Sequence, residues 1–201
     1  MRRLVLASGN PGKLREIRAL LAPLALEVVP QVELGISEAE EPHPTYLENA
    51  LAKARHAARA ANLPALADDS GLSVDALGGA PGVHSAHYAG TQGNREERDR
   101  RNNAKLLVEL EKANSREATF VSVIVLVRHP EDPEPIVAEG RWRGRIAQAA
   151  RGANGFGYDP LFLVAGRDVT AAELDAVEKN RISHRGQALQ RLLALLRERS
   201  T

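Results

Sequence analysis

The stretch Leu66-Ala67-Asp68-Asp69-Ser70-Gly71-Leu72-Ser73-Val74-Asp75-Ala76-Leu77-Gly78-Gly79-Ala80-Pro81-Gly82-Val83-His84-Ser85-Ala86-His87-Tyr88-Ala89-Gly90 organises the chain. An apolar approach (Leu63, Ala65, Leu66, Ala67) runs into two carboxylates, a hydroxyl and a glycine. That order delivers acids to the end of a buried strand. Adjacent like charges repel and are costly to desolvate, so a cation, most simply a divalent metal, is their natural partner. Consecutive strand side chains point to opposite faces, so one acid leads the site and the other supports it, with Asp69 as the leader. A solvated Asp-Ser-Gly bend is the alternative.

Outward from this stretch, the composition bounds the possibilities. The 201 residues, 43% hydrophobic, suffice for one sizeable core, or one core with a smaller lobe, and residues 1–201 read as a single domain. A net charge of +1 gives no reason to expect a nucleic-acid polymer or an acidic membrane as partner. There is no cysteine, which excludes disulfides, thiolate catalysis and sulfur-ligated zinc. No apolar run reaches membrane-spanning length, so the expected location is the cytoplasm. Arginine outnumbers lysine 22 to 5, which draws notice to Lys13, Lys53, Lys105, Lys112 and Lys179.

Upstream, Leu4 to Ala7 reads as a buried strand, and Leu14, Ile17, Leu20 and Leu21 have helical spacing. Between them Ser8-Gly9-Asn10-Pro11-Gly12-Lys13 forms a candidate phosphate cradle, a turn at a helix N-terminus with a lysine, though it matches neither a Walker A loop nor a dinucleotide fingerprint. An ordinary strand-to-helix turn is the competing reading. Leu26 to Val29 suggests a second strand, followed by an acidic segment with Glu38, Glu40 and Glu41 that either is solvated or donates a carboxylate to a metal shared with Asp69. Thr45-Tyr46-Leu47-Glu48 opens a helix with a capping box, and Asn49, Lys53 and His56 share its polar stripe.

Downstream, His84 and His87 are expected to be hydrogen-bonded or exposed rather than metal ligands. Asn94 to Asn114 reads as a charged helix with a solvated or interface face. Ala118 to Arg128 is a strand buried on both faces, and the run from Ile136 to Ile146 is its returning hairpin arm. Phe156 and Tyr158, flanked by Gly155 and Gly157, offer a stacking face for a flat ligand. A second Thr-x-x-Glu box at Thr170 starts a helix reaching Lys179, and Ser183-His184-Arg185-Gly186 caps the last helix. Basic residues in a first turn oppose the helix dipole, so a ligand or buried carboxylate is expected beside them.

Taken together, Ser8 to Lys13 with Glu16, Thr45 to Ala50, Ala67 to Leu72, Phe156 to Pro160 and Ser183 to Gly186 resemble the noncanonical purine nucleoside triphosphate pyrophosphatases, the Ham1-like family, in the family's order along the whole chain. The resemblance implies an α/β fold: a long, curved, mixed central sheet flanked by helices, in two lobes with the active cleft between them. It implies a homodimer and Mg2+-dependent hydrolysis of ITP, dITP and XTP to the monophosphate and pyrophosphate. It implies Glu40 and Asp69 as metal ligands, with Glu41 the alternative to Glu40, and Asp69 as the catalytic carboxylate. Substrate binding falls to Ser8, Gly9, Asn10, Pro11, Gly12, Lys13, Lys53, Ser70, Phe156, Gly157, Tyr158, Asp159, Lys179, His184 and Arg185. Donors of the His184-Arg185 turn are expected to read a 6-oxo group. A Maf-like pyrimidine nucleotide pyrophosphatase is the nearest rival, but its Ser-Pro-Arg-Arg loop is absent here. A non-enzymatic RNA binder using the Arg-rich helix would have no need of the paired acids.

Overall fold

The computed structural model describes residues 3–22 and 26–199. It contains a six-stranded sheet in the order β2-β1-β3-β4-β5-β6, built from Arg3–Ala7 (β1), Glu27–Pro30 (β2), Ala65–Val74 (β3), Glu117–Val127 (β4), Ile136–Ile146 (β5) and Phe162–Val164 (β6). The sheet is mixed: β1 pairs in parallel with both β2 and β3, and β5 pairs antiparallel with β6. Five helices accompany it: Pro11–Leu21 (α1), Tyr46–Ala61 (α2), Arg95–Glu109 (α3), Ala176–Ile182 (α4) and His184–Glu198 (α5).

The backbone divides into two compact units, one comprising Met1–Asp69, Ser122–Gly140 and His184–Thr201, the other Ser70–Val121 and Arg141–Ser183. Each has its own apolar core. In the first, Leu4, Leu6 and Leu66 of the parallel strands pack with Ile17 and Leu21 of α1, Ile124 and Leu126 of β4, and Leu189 and Leu192 of α5. In the second, Phe120, Trp142 and Phe162 form an aromatic cluster, the Phe120 and Phe162 centroids 4.5 Å apart and tilted by 45°. Such tilted pairs satisfy the ring quadrupoles better than face-to-face sandwiches.

Local chemistry explains the element ends. Asn10 caps α1, its carboxamide oxygen accepting from Gly12 and Lys13 N–H, and Pro11 occupies the first turn, where a missing donor costs nothing. Thr45 caps α2 by accepting from Glu48 N–H, but Glu48 returns its carboxylate to the Thr45 hydroxyl rather than to the Thr45 N–H, so the expected box is half formed. Asn94 and Glu97 make the full reciprocal box at α3. This helix stops at Glu109, five residues short of the expected end. The Thr170 box also exists, but it closes only the single turn Ala171–Glu173. Leu174 is extended, at φ −75° and ψ 148°, and Asp175 caps α4 afresh, so one expected helix becomes a turn and a helix.

β5 alternates buried and exposed residues over its whole length, as a strand covered on one face must. At Gly140 a Cβ would lie 2.0 Å from the His184 carbonyl oxygen and 2.6 Å from Ala188 N. Only glycine lets the first turn of α5 lie this close to the strand, and that approach positions His184 and Arg185.

Candidate active site

Asp68 and Asp69 lie in the middle of β3, nearly completely buried, and the strand's alternation sends them to different partners. Asp68 Oδ2 meets Lys13 Nζ at 2.8 Å and Arg185 Nη2 at 3.2 Å, while its Oδ1 accepts from the Ser122 hydroxyl on β4. Arg185 also pairs with Glu16 of α1. The basic first turn of α5 is thus offset by the buried Asp68 and the partly buried Glu16, a buried carboxylate being one of the two partners expected for it. Burial alone would raise the Asp68 pKa, but Arg185 and Lys13 outweigh it and hold the carboxyl well below its ordinary range. The same burial lowers the Lys13 pKa against the pull of Asp68.

Asp69 faces a different cation. Its Oδ1 lies 2.7 Å from Lys53 Nζ, and the same ammonium lies 2.6 Å from Glu41 Oε1. Burial raises the Asp69 pKa, and the opposing pull of Lys53 and Lys13 does not fully compensate. Lys53 moves the other way from what burial dictates, held up by Asp69 and Glu41. Both candidate metal glutamates, Glu40 and Glu41, are exposed, and the structure joins Glu41 to Asp69 through Lys53.

The stripe Asn49, Lys53 and His56 of α2 turns towards the acidic segment rather than towards solvent. Asn49 bonds both N–H and C=O of His43, Lys53 bonds Glu41, and His56 Nε2 lies 2.9 Å from the Ser37 carbonyl. The three side chains strap residues 37–43 along the helix. In the 8–13 loop, Ser8 N–H bonds the Leu6 carbonyl, Asn10 N–H the Ser8 hydroxyl, and Gly12 and Lys13 N–H the Asn10 side chain. These bonds engage the amides of Ser8, Asn10, Gly12 and Lys13 within the turn, and the Lys13 ammonium is held by Asp68.

The second unit carries a separate constellation. Asp159 Oδ2 accepts from Phe156 N–H at 2.8 Å and from Lys179 Nζ at 2.6 Å, fixing the loop to α4. Gly155 stands at φ 77°, where a Cβ would lie 2.1 Å from the Asp159 carboxylate, so the turn requires glycine. Gly157 is held from α3: its N–H donates to Asp99 Oδ2 and its carbonyl accepts from Asn103 Nδ2, each at 2.9 Å. Tyr158 is buried, its hydroxyl donating to the Ser85 carbonyl, which makes it a structural pin of the loop. Ser70 lies half-buried on β3. His84 and His87 are exposed, and among the described residues no group of three or more His, Cys, Asp or Glu gathers to hold a metal.

The sequence reading missed Asp99, Asn103 and Arg95 because the charged first half of their helix reads as a solvated or interface face. The i, i+4 spacing of Asp99 and Asn103 was the available signal, since it puts an acceptor and a donor on one face.

Residues 4–195 match the Ham1 family. The chain belongs to the Ham1 family. Among curated Ham1 relatives, a dITP/XTP pyrophosphatase of Ralstonia nicotianae is 61% identical over 98% of both chains, and one of Burkholderia pseudomallei is 59% identical over 98% of this chain and 94% of its own. A HAM1 protein from Coxiella burnetii superposes with a TM-score of 0.89 at 48% identity, covering 98% of this chain and 100% of that one. The Staphylococcus aureus Ham1 protein gives 0.85 at 39% identity, with coverage of 98% and 100%. The mixed sheet with flanking helices is thus the Ham1 architecture, as expected. Among the described residues no helix is long and apolar enough to cross a membrane.

Proposed function

We propose that the chain hydrolyses noncanonical purine nucleoside triphosphates, ITP, dITP and XTP, to the monophosphate and pyrophosphate, and so removes damaged purines from the nucleotide pool. The observation that carries this reading is the arrangement at Asp69: a buried carboxylate of raised pKa bound to a lysine that also binds a second acid. Relatives at about 60% identity bearing the dITP/XTP pyrophosphatase name support the substrate class.

The chemistry of the residues present suits a magnesium ion: Asp69 Oδ2 is buried with no hydrogen-bond partner among the described residues, and Asp69 Oδ1 and Glu41 Oε1 both bind the Lys53 ammonium, which brings two carboxylates to one place. Two carboxylates completed by substrate phosphates and water suit Mg2+ better than an all-protein cage. When bound, the ion neutralises phosphate charge and lowers the pKa of a coordinated water. Asp69 and Glu41 would hold it.

The chain's own groups do the rest. Asp69 accepts the proton of the attacking water; the water oxygen bonds phosphorus, the α–β anhydride bond breaks, and pyrophosphate leaves. A carboxyl pushed up by burial is a better base than an ordinary aspartate. Lys13, Lys53 and the Gly9 amide stabilise charge on the triphosphate, because phosphoryl transfer is mainly positioning and electrostatics. Asp68, clamped by Arg185 and Lys13, fixes the strand on which Asp69 stands. In the second unit, Phe156 supplies a stacking face, with Asp159 and Lys179 holding it. His184 and the backbone of its turn read the 6-oxo group. Adenine's 6-amino group then meets a donor, at a cost on the order of 1–3 kcal/mol.

The reading includes a cytoplasmic location and a homodimer, and light scattering of the purified chain checks the dimer. Its kinetic test is a kcat/KM panel over ITP, dITP, XTP, ATP, GTP and dTTP with Mg2+. Preference for the first three supports the proposal; preference for dTTP, or turnover of none, overturns it.

A further inference from the structure

Two cations stand over the Phe156 ring: Arg95 Cζ is 5.2 Å from its centroid and Lys179 Nζ 5.0 Å. The acids of the same neighbourhood are tied to the loop backbone, Asp159 to Phe156 N–H and Asp99 to Gly157 N–H. Asp159 also clamps Lys179 at 2.6 Å, while Arg95 Nε stands 3.9 Å from Asp99 Oδ2. Arg95 is the first residue of α3, whose next turn holds Gly157 through Asp99, so one helix end fixes both the guanidinium and the loop beneath it. A cation above an aromatic face attracts a flat partner in proportion to the electron density that partner carries.

The candidate bases differ in this respect. Xanthine has a second carbonyl at C2, which acidifies the neighbouring ring N–H and leaves the base partly anionic at neutral pH; hypoxanthine stays neutral. A guanidinium beside the stacking ring favours the anionic base and offers donors to the 2-oxo group. Guanine's 2-amino group would meet donor against donor.

Building on the reading of Phe156 as the base platform, we infer that Arg95 is a specificity-determining residue whose positive charge favours xanthine over hypoxanthine nucleotides. The test compares kcat/KM for XTP and ITP in wild type, Arg95→Gln and Arg95→Lys, with XMP and IMP affinities measured by calorimetry. A ratio taken within one preparation is insensitive to the fraction of folded enzyme. Arg95→Gln lowers the XTP:ITP and XMP:IMP ratios by about fivefold, the size of one partly screened charge pair, and Arg95→Lys keeps most of both. An unchanged ratio in Arg95→Gln, or an equal loss in Arg95→Lys, overturns the inference while leaving the proposed reaction standing. A wild-type chain that turns over neither nucleotide overturns both.

Discussion

Replacing Arg185 with methionine keeps most of the side chain's volume and deletes its charge. In the structure the Arg185 side chain is 2% exposed and faces Asp68, whose side chain is 0% exposed, with Nη2 and Nε at 3.2 and 3.4 Å from one carboxylate oxygen and Nη1 on Glu16. The substitution takes the guanidinium from both Asp68 and Glu16, while Lys13 and Ser122 stay bonded to Asp68. Breaking a buried pair from one side costs about 3–5 kcal/mol, because the surviving charge stays desolvated. With an unfolding entropy of roughly 2.1 cal/mol/K per residue, that corresponds to a fall in Tm of about 7–12 °C for a chain of this length. The assay is thermal denaturation at pH 7 followed by circular dichroism, with Asp68→Asn and the double variant alongside. The double variant loses less than the sum of the singles, because each single strands a charge that the double does not. A fall below about 2 °C for Arg185→Met, or strict additivity, would refute the reasoning. The outcome also bears on base recognition, for which the sequence suggested donors from this turn. With the guanidinium committed to Asp68 and Glu16, Arg185→Met lowers turnover of ITP and ATP by similar factors.

Three further outcomes follow. Glu41→Gln raises the Mg2+ concentration needed for half-maximal activity by about tenfold or more, and Glu40→Gln changes it less, since only Glu41 shares Lys53 with Asp69; titration of activity against Mg2+ checks this. Gly140→Ala puts a Cβ against the backbone of α5, which cannot yield as a flexible side chain would, and lowers stability by about 1–3 kcal/mol in urea denaturation. Asp132, 1% exposed, accepts from Arg128 N and Nε at 2.9 Å, and the Arg128 guanidinium draws its pKa below the ordinary carboxylate value. A folded-state pKa below the unfolded one stabilises above the unfolded value of about 3.9 and is lost as pH falls through the folded value, so the stability gap between wild type and Asp132→Ala, open at pH 7, closes in acid.

Much of this fold was legible where the signal is local. The apolar run of β4, the cap at Thr45 and the alternation that separates Asp68 from Asp69 depend on neighbours within a few residues. The Thr170 box misled because a cap starts a turn but does not oblige it to continue; Leu174 extends and Asp175 restarts the helix. The site was half legible. Residue type and the resemblance single out Lys13, Lys53 and Asp69, but that Lys13 pairs with Asp68 and that Glu41 shares Lys53 with Asp69 depend on how β3, α1 and α2 pack, a tertiary fact. Likewise Arg95 and Asp99 read as part of a solvated or interface face, because the i, i+4 pair of Asp99 and Asn103 marks a polar face without saying that Phe156 and Gly157 pack there.

The most direct test of the central claim is product analysis with ITP and Mg2+ for wild type and for Asp69→Asn, with folding of the variant checked by its melting curve. The account predicts one pyrophosphate per IMP from the wild type and a loss of about a thousandfold or more in kcat for a variant that remains folded, as expected when the general base and a metal carboxylate are removed together. Release of single phosphates, or a folded Asp69→Asn variant that keeps wild-type turnover, would contradict it.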